Sequence, residues 1–168
     1  IREALADCEI AGPKSNIAFL ERLVRHPAVG GGTIDTGYLD RHLDEFLSPA
    51  ATDPALLLAA ATTRLLTQEA DARDAAATGS DPGSPWAIAD GWRLGHGATR
   101  RLAFADGEAR IDLVAHGHDG EYRIERDGGT HAVSGARLQA GELSLRIDGA
   151  MQRFSARAQA DGVLVHDG

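Results

Sequence analysis

Two histidines and an aspartate stand together in the run His116-x-His118-Asp119, a pattern that could bind a metal ion. If the run ends a β-strand, His116 and His118 share a face, because side chains two residues apart on a strand point the same way. A zinc site needs three or four ligands, and no cysteine or glutamate cluster completes this one. We interpret the run as the solvated end of a hairpin and assign no metal ligand.

Other residue types that carry chemistry lack the partners that catalysis needs. Asp112 and Glu125 could work as an acid and a base, but alternating exposed charges on strands are the simpler interpretation. No serine lies in a Gly-x-Ser-x-Gly nucleophile motif. Gly30-Gly31-Gly32 is not followed by Lys-Ser or Lys-Thr, which excludes a P-loop. We therefore assign no catalytic and no cofactor-binding residue.

The two tryptophans of the chain, Trp86 and Trp92, follow a stretch rich in Gly, Ser, Asp and Pro that predicts a loop. Either both fill the core, or the loop projects and at least one of them anchors a partner protein. Trp and Arg are enriched at the hot spots of protein interfaces, and Arg93 is adjacent to Trp92. We predict a subunit interface at residues 78–93, with Trp86, Trp92 and Arg93 as its contacts.

The first part of the chain reads as helices. Asn16, or the serine before it, would cap a helix over residues 17–26, because either side chain can accept a bond from a free backbone N–H. Pro27 would end this helix. Asp35, or the threonine after it, would then begin a second helix with Phe46 on its apolar face.

A long helix is predicted over residues 53–77. The run has Pro54 in its first turn, where a proline costs no hydrogen bond, and neither Gly nor Pro after it. At 1.5 Å per residue the helix would be about 35 Å long. Its leucines spread around much of the circumference, which indicates a helix surrounded by other elements.

From about residue 98, apolar and polar residues alternate with the period of a β-strand. Asp-Gly pairs, which suit tight hairpin turns, recur at positions 106, 119, 127, 148, 161 and 167. The predicted strands are Arg100–Ala105, Ala109–Ala115, Glu121–Arg126, His131–Ala136, Glu142–Ile147, Met151–Ala158 and Val163–His166. Such a meander tends to close on itself and so remove its free edges.

We therefore predict an α+β fold: a short helical segment, then a long central helix wrapped by an antiparallel β-barrel of seven or eight strands. A helix packed on one face of an open sheet is the alternative. The 168 residues, 43% of them hydrophobic, are enough for a packed core.

The net charge and the amino-acid composition limit the kinds of partner and the cellular compartment that we expect for this chain. The net charge of −8 disfavours nucleic acid and anionic membranes, and no apolar run approaches the ~18 residues of a membrane span. Cys8 is the single cysteine, which fits a reducing compartment. Lys14 is the only lysine among 17 basic residues, and alanine is common. We take this bias to indicate a GC-rich bacterium, and we expect a cytoplasmic location.

Two stretches resemble known families. The first comprises Gly12-Pro13-Lys14-Ser15-Asn16, a helical run, and Gly31-Gly32-Thr33-Ile34-Asp35-Thr36-Gly37-Tyr38-Leu39. It resembles the C-terminal end of a biotin carboxylase domain and covers about residues 1–47. The chain begins without Met inside a helix-like run, which suggests a piece of a longer protein.

The second stretch is Ser84-Pro85-Trp86 through Asp90-Gly91-Trp92-Arg93-Leu94. It resembles the start of the barrel in the 3-methylcrotonyl-CoA carboxylase α-subunit family. There a BT domain, a long helix wrapped by an antiparallel barrel, docks the α subunit onto the carboxyltransferase β subunit. The resemblance implies a BT domain at 48–168, with the helix at 53–77, a loop at 78–91 and the barrel at 92–168.

The resemblance also implies what these residues do not do. Met151 lies in Ala150-Met151-Gln152-Arg153, without the lysine that carries biotin in the family's Ala-Met-Lys-Met motif. We expect no cofactor on this chain, whereas the whole enzyme would use biotin, ATP and Mg or Mn to carboxylate biotin in leucine breakdown. The expected partner is the carboxyltransferase β subunit. The alternatives are an α subunit of a related enzyme, such as the geranyl-CoA carboxylase, or a free-standing barrel that binds a small apolar ligand.

Overall fold

The computed structural model of the protein describes residues 16–32, 34–35, 37–47, 52–79, 99–106, 109–160 and 162–167. The chain divides into two compact units, Ile1–Ala51 and Thr52–Gly168. No helix among the described residues has both the length and the apolar character that crossing a membrane requires.

The described part of the first unit is helical, with α1 at Ile17–Arg25, α2 at Pro27–Gly30 and α3 at Tyr38–Leu47. Asn16 precedes α1, but its side chain makes no capping bond. Pro27, which was predicted only to end a helix, also begins α2, because its fixed φ suits a first turn. The ring Nδ1 of His26 caps this turn by accepting a bond from the backbone N–H of Ala28 at 3.3 Å.

The apolar faces of α1 and α3 meet at Phe46, which is 2% exposed. Its ring packs edge-on against Phe19 at 6.1 Å and against the imidazole of His26 at 5.3 Å. Nη1 of Arg22 donates a 2.8 Å hydrogen bond to the backbone oxygen of Phe46, which satisfies a carbonyl near the end of α3. The helices of this unit are therefore held together by aromatic packing around one residue.

The second unit begins with α4, Pro54–Thr78, a helix of 25 residues. It starts and ends one residue later than the predicted span of 53–77. Asp53 is its N-cap, since Oδ1 accepts a 2.8 Å bond from the N–H of Ala55. The buried residues of α4 lie on several sides: Leu57, Leu58, Ala59, Ala61, Thr62, Thr63, Leu65 and Glu69.

The described residues after α4 form seven strands, all of which were predicted: β1 Thr99–Asp106, β2 Ala109–His118, β3 Glu121–Arg126, β4 Gly129–Gln139, β5 Glu142–Ile147, β6 Ala150–Ala158 and β7 Val163–Asp167. Each strand pairs antiparallel with the next, so the sheet order is the sequence order. Their inner side chains form one core with α4. The sheet curls about the helix as a half-barrel, so the predicted α+β fold is confirmed.

Four successive hairpins have two-residue turns in which both residues take a positive φ, the geometry of type I′ turns. Three of them are the predicted Asp-Gly pairs at 119, 127 and 148. The fourth is Ala140-Gly141, with φ of 51° and 84°. Sequence reasoning missed this turn because alanine rarely adopts a left-handed conformation.

Candidate functional site

The three residues predicted to contact a partner, Trp86, Trp92 and Arg93, lie outside the described residues. The structure does describe the elements that flank their segment. Helix α4 ends at Thr78 and strand β1 begins at Thr99. The described contacts nearest to this segment in the sequence are those that join α4 to β1.

Glu69 is the centre of these contacts. It is 2% exposed although it carries a carboxylate. Oε1 accepts a 2.6 Å hydrogen bond from Nη2 of Arg100, the second residue of β1. Oε2 accepts bonds from the backbone N–H of Asp119 at 2.9 Å and from the hydroxyl of Tyr122 at 3.0 Å. One helix side chain therefore holds β1, the β2–β3 turn and β3.

Arg100 is held as firmly as its partner. Nη2 also donates a 2.7 Å bond to the backbone oxygen of Gly117, and the guanidinium lies 5.5 Å from the ring centroid of Tyr122. Its Nε is buried and has no hydrogen-bond partner among the described residues. Burying an ion pair is costly unless hydrogen bonds satisfy both groups, and here both carboxylate oxygens of Glu69 and Nη2 of Arg100 have partners.

Burial raises the pKa of the Tyr122 hydroxyl well above its ordinary value, and the neighbouring Glu69 carboxylate raises it further. The hydroxyl therefore stays protonated at neutral pH and acts as a hydrogen-bond donor to Glu69. Through these hydrogen bonds the cluster of Glu69, Arg100 and Tyr122 joins α4 to β1 and β3.

Sequence reasoning missed this cluster, although one signal was present. Glu69 lies four residues after Leu65, and residues four apart on a helix share a face. Leu65 is fully buried, so Glu69 had to be buried as well. A glutamate on an otherwise apolar helix face indicates a buried partner of opposite charge.

The rim of the cluster is exposed and ionic. Arg73 forms an ion pair with Asp119 and lies 3.7 Å from Oε2 of Glu69. A hydrogen bond from His118 lowers the pKa of Asp119, and the charge of Arg73 lowers it further. Asp119 therefore remains a carboxylate at the mouth of the β2–β3 turn.

Both histidines of the run that could have bound a metal lie beside carboxylates. His118 Nδ1 lies 3.0 Å from Oδ2 of Asp119, and His116 Nε2 lies 3.4 Å from Oε1 of Glu125 on β3. Among the residues described, no three His, Cys, Asp or Glu side chains are grouped so that they could hold a metal ion. Asp112, once considered as an acid beside Glu125, pairs instead with Arg110 at 2.8 Å.

The inner face of the sheet is occupied by α4. Leu58 is 3% exposed and Leu65 is fully buried, and they belong to the same core as Leu113 and Leu145 of the sheet. A barrel that binds an apolar ligand needs an interior cavity of several hundred Å³. The helix takes the place that such a ligand would fill, which disfavours the ligand-binding alternative.

A groove of about 440 Å³ runs between the two end strands, β1 and β7. Its floor includes Arg64 and Gln68 of α4, and its walls include Leu102, Phe104 and Val163. The described pairings do not join β7 to β1. End strands present free backbone hydrogen-bonding groups, which makes them natural places for another polypeptide to contact the sheet.

In the described part of the second unit, the half-barrel is filled by its own helix, α4. Residues 52–168 match the family described as methylcrotonyl-CoA carboxylase, alpha-subunit, BT domain. The chain therefore belongs to this family, and the resemblance inferred from the sequence is confirmed.

Two curated relatives agree with this assignment. The mitochondrial methylcrotonoyl-CoA carboxylase subunit alpha of Dictyostelium discoideum is 32% identical over 111 residues, which cover 66% of this chain and 16% of that protein. The corresponding mouse protein is 28% identical over 137 residues, or 80% of this chain and 19% of that protein. The chain thus spans less than a fifth of the length of either relative.

The predicted location in a bacterial cytoplasm is contradicted by these relatives, which are mitochondrial proteins of eukaryotes. The prediction rested on the excess of arginine and alanine and on a single cysteine. Arginine and alanine usage follows the base composition of a genome, and a low cysteine count fits any reducing compartment. Neither observation can distinguish a cytoplasm from the interior of an organelle, and the prediction was wrong.

Proposed function

We propose that this chain is the assembly module of a biotin-dependent 3-methylcrotonyl-CoA carboxylase α subunit and that it attaches this subunit to the carboxyltransferase β subunit. The family match over residues 52–168 is the observation that carries the proposal. The structure is consistent with it, because α4 fills the inner face of the sheet and no strand among the described residues pairs with the outer edge of β1 or β7.

The whole enzyme would use ATP and Mg or Mn to carboxylate biotin, and would then pass the carboxyl group to an unsaturated acyl-CoA in leucine degradation. None of that chemistry is assigned to this chain, which contributes no catalytic residue and no cofactor ligand to the proposal. Its contribution is to keep the carboxylase and carboxyltransferase activities in one complex, so that carboxybiotin travels a short distance.

Residues 1–47 would be the C-terminal end of the biotin carboxylase domain. Support comes from the Gly12–Asn16 motif and from the following helices, α1 and α3, which pack on each other around Phe46. The module proper would then begin close to residue 52, where the second compact unit starts.

Within the module, the segment at 78–93 remains our predicted contact, with Trp86, Trp92 and Arg93 as the anchoring side chains. Large aromatic residues and arginine dominate the binding energy of many interfaces. The buried pair of Glu69 and Arg100 joins the helix that precedes this segment to the strand that follows it.

The test is light scattering after size exclusion, in which the complete α subunit is mixed with the carboxyltransferase β subunit of the same organism. A stable complex of the two is expected. Trp86→Ala, Trp92→Ala and Arg93→Ala should each weaken the complex, whereas Arg110→Ala, at an exposed arginine of β2, serves as the matched control. Separate elution of two folded, unmodified subunits would refute the assembly role.

A further inference from the structure

The outer side of β4, β5 and β6 carries a cluster of exposed arginines, which we call the arginine face: Arg137, Arg146, Arg153 and Arg157. The chain as a whole has a net charge of −8. A concentration of positive charge on one part of an acidic chain needs a physical explanation, because like charges held near each other repel.

The strand register brings these side chains together. Arg137 of β4 is paired with Ser144 of β5, which is paired with Arg153 of β6, so two arginines lie in one row across three strands. With strands about 4.8 Å apart, their Cα atoms are roughly 10 Å from each other. Arg146 lies in the next row, opposite Met151. The residue between Arg137 and Arg153 in this row is Ser144, whose side chain is too small to separate their guanidinium groups.

Intramolecular carboxylates do not neutralise the arginine face. Arg153 lies 3.9 Å from Glu142, but both side chains are mostly exposed, at 76% and 63%, and such pairs contribute little. The side chains of Arg137, Arg146 and Arg157 make no hydrogen bond or ion pair with any described residue.

The other half of the same sheet behaves differently. On β2, Arg110 pairs with Asp112 at 2.8 Å, and on β3, Arg123 pairs with Glu125 at 3.5 Å. In both of these pairs a carboxylate two residues along the strand balances the arginine. The four residues of the arginine face have one such contact among the described residues, that of Arg153 with Glu142.

An apolar contact lies within the same surface. Met151, the only methionine of the chain, is 59% exposed and is opposite Arg146. Met and Arg are both enriched in protein interfaces. A cleft of about 420 Å³, lined by Gly141, Glu142, Arg153, Ser155 and Arg157 among others, lies at the β4–β5 turn beside the arginines. Its two arginines outnumber its one carboxylate, so the cleft carries a net positive charge that suits an acidic side chain.

We propose that the arginine face docks against an acidic surface of the partner subunit, with Met151 in apolar contact and a partner carboxylate between Arg153 and Arg157. This inference rests on the proposed assembly function and assigns it a second contact, separate from the segment at 78–93. Charge complementarity identifies the occupant, because arginine forms bidentate bonds with carboxylates, and such surfaces speed association as well as favouring the correct partner.

The experiment is titration of the β subunit into the complete α subunit, followed by light scattering or calorimetry. Arg146→Glu/Arg153→Glu reverses two charges on the arginine face and should weaken the complex at least tenfold. Arg110→Glu/Arg123→Glu introduces the same charge change on β2 and β3 and should alter the affinity less than threefold. Circular dichroism and urea unfolding establish that both variants are folded.

The outcomes are distinct. If the unmodified subunits do not associate, the assembly function is refuted and this docking surface with it. If they associate and the two double variants bind equally well, the docking inference alone is wrong. Arginine-dependent binding to phosphatidylserine vesicles, with unchanged binding to the β subunit, would also overturn it, because the face would then recognise a membrane. If rising salt weakens the complex of the unmodified subunits but not that of the arginine-face variant, the docking inference is supported.

Discussion

Oε1 of Glu69 lies 2.6 Å from Nη2 of Arg100, so an ion pair buried between α4 and β1 joins two residues that are 31 positions apart in the sequence. The side chains are 3% and 18% exposed. Both charges have lost most of their water, and hydrogen bonds to Asp119, Tyr122 and Gly117 replace it. This pair ties the first strand of the half-barrel to the helix that fills it.

Removing one partner of this pair should be far worse than removing both. Glu69→Leu leaves Arg100 buried without a counter-charge and should lower the free energy of unfolding by about 3–5 kcal/mol. Arg100→Leu should cost a similar amount. The double variant Glu69→Leu/Arg100→Leu should be more stable than either single variant, since no uncompensated charge remains. Urea unfolding of all four proteins gives the coupling energy.

The matched control is the exposed pair Arg110 and Asp112, which is treated in the same way with leucine. Its coupling energy should be below about 1 kcal/mol, because water already solvates both groups. Equal coupling in the two pairs would mean that the Glu69–Arg100 contact is not the structural anchor we describe.

A second prediction concerns the stability of the protein at low pH. A hydrogen bond from His131, and next the backbone N–H of Ala132, lower the pKa of Asp148 below its ordinary value of 3.8. A carboxyl whose pKa is lowered in the folded state adds stability above the unfolded pKa, and that stability is lost as the pH falls through the folded value. Asp148→Asn, which keeps the turn geometry, should therefore be less stable than the unmodified protein at pH 6 and should approach it below pH 3.8.

Urea unfolding at pH 6 and at pH 3 measures this difference, and the titration of Asp148 can be followed by NMR. His131→Gln provides the control, because it removes the largest cause of the shift and leaves the carboxyl in place. In that variant the pKa of Asp148 should move back towards 3.8. A constant difference in stability between pH 6 and pH 3 would contradict the linkage.

Ala140, in the turn between β4 and β5, is a position where a substitution can raise the stability of the protein. Ala140 has φ of 51°, a left-handed conformation that costs an L-residue with a Cβ roughly 1–2 kcal/mol. Ala140→Asn provides the residue that such turns favour and should raise the free energy of unfolding by about 0.5–1 kcal/mol. Ala132→Asn, an exposed strand position, should bring no gain. Thermal unfolding that shows equal effects for the two substitutions would refute the strain argument.

A fourth prediction separates close contact from backbone strain. Gly117 has φ of 101°, and a Cβ built on it would lie 2.1 Å from the backbone oxygen of Glu121. Gly135 also has a positive φ, of 60°, but its Cβ would meet nothing within 4 Å. Gly135→Ala should cost about 1 kcal/mol for strain alone, whereas Gly117→Ala should cost at least about 3 kcal/mol, because two strands must also move apart. Chemical denaturation of both variants tests the ranking.

Local rules were sufficient for the elements themselves. Alternation of apolar and polar residues predicted all seven strands, because a half-buried strand exposes every second side chain. Asp-Gly pairs marked three of the four type I′ turns, since both residues tolerate the conformation that a two-residue hairpin requires. The long helix followed from an uninterrupted run after Pro54. Each of these signals is contained within a few neighbouring residues.

Local alternation could not predict, for some side chains, whether they point into the core or towards solvent. Val133 and Ala136 are both buried although three positions separate them, because the register shifts between Ser134 and Arg137. Strict alternation from Val133 would have turned Arg137 inward. The bulge turns it outward instead, in line with Arg153, and so creates the row from which the arginine face is built.

The sequence by itself determined the α+β class, the strands, most of the turns and the family, since these depend on local conformational preference and on short motifs. Only the tertiary structure decided that Glu69 and Arg100 meet, that α4 fills the sheet, and that four arginines of three strands share one surface. Those relationships depend on contacts between residues far apart in the chain, and such contacts are set by the packing of the whole core.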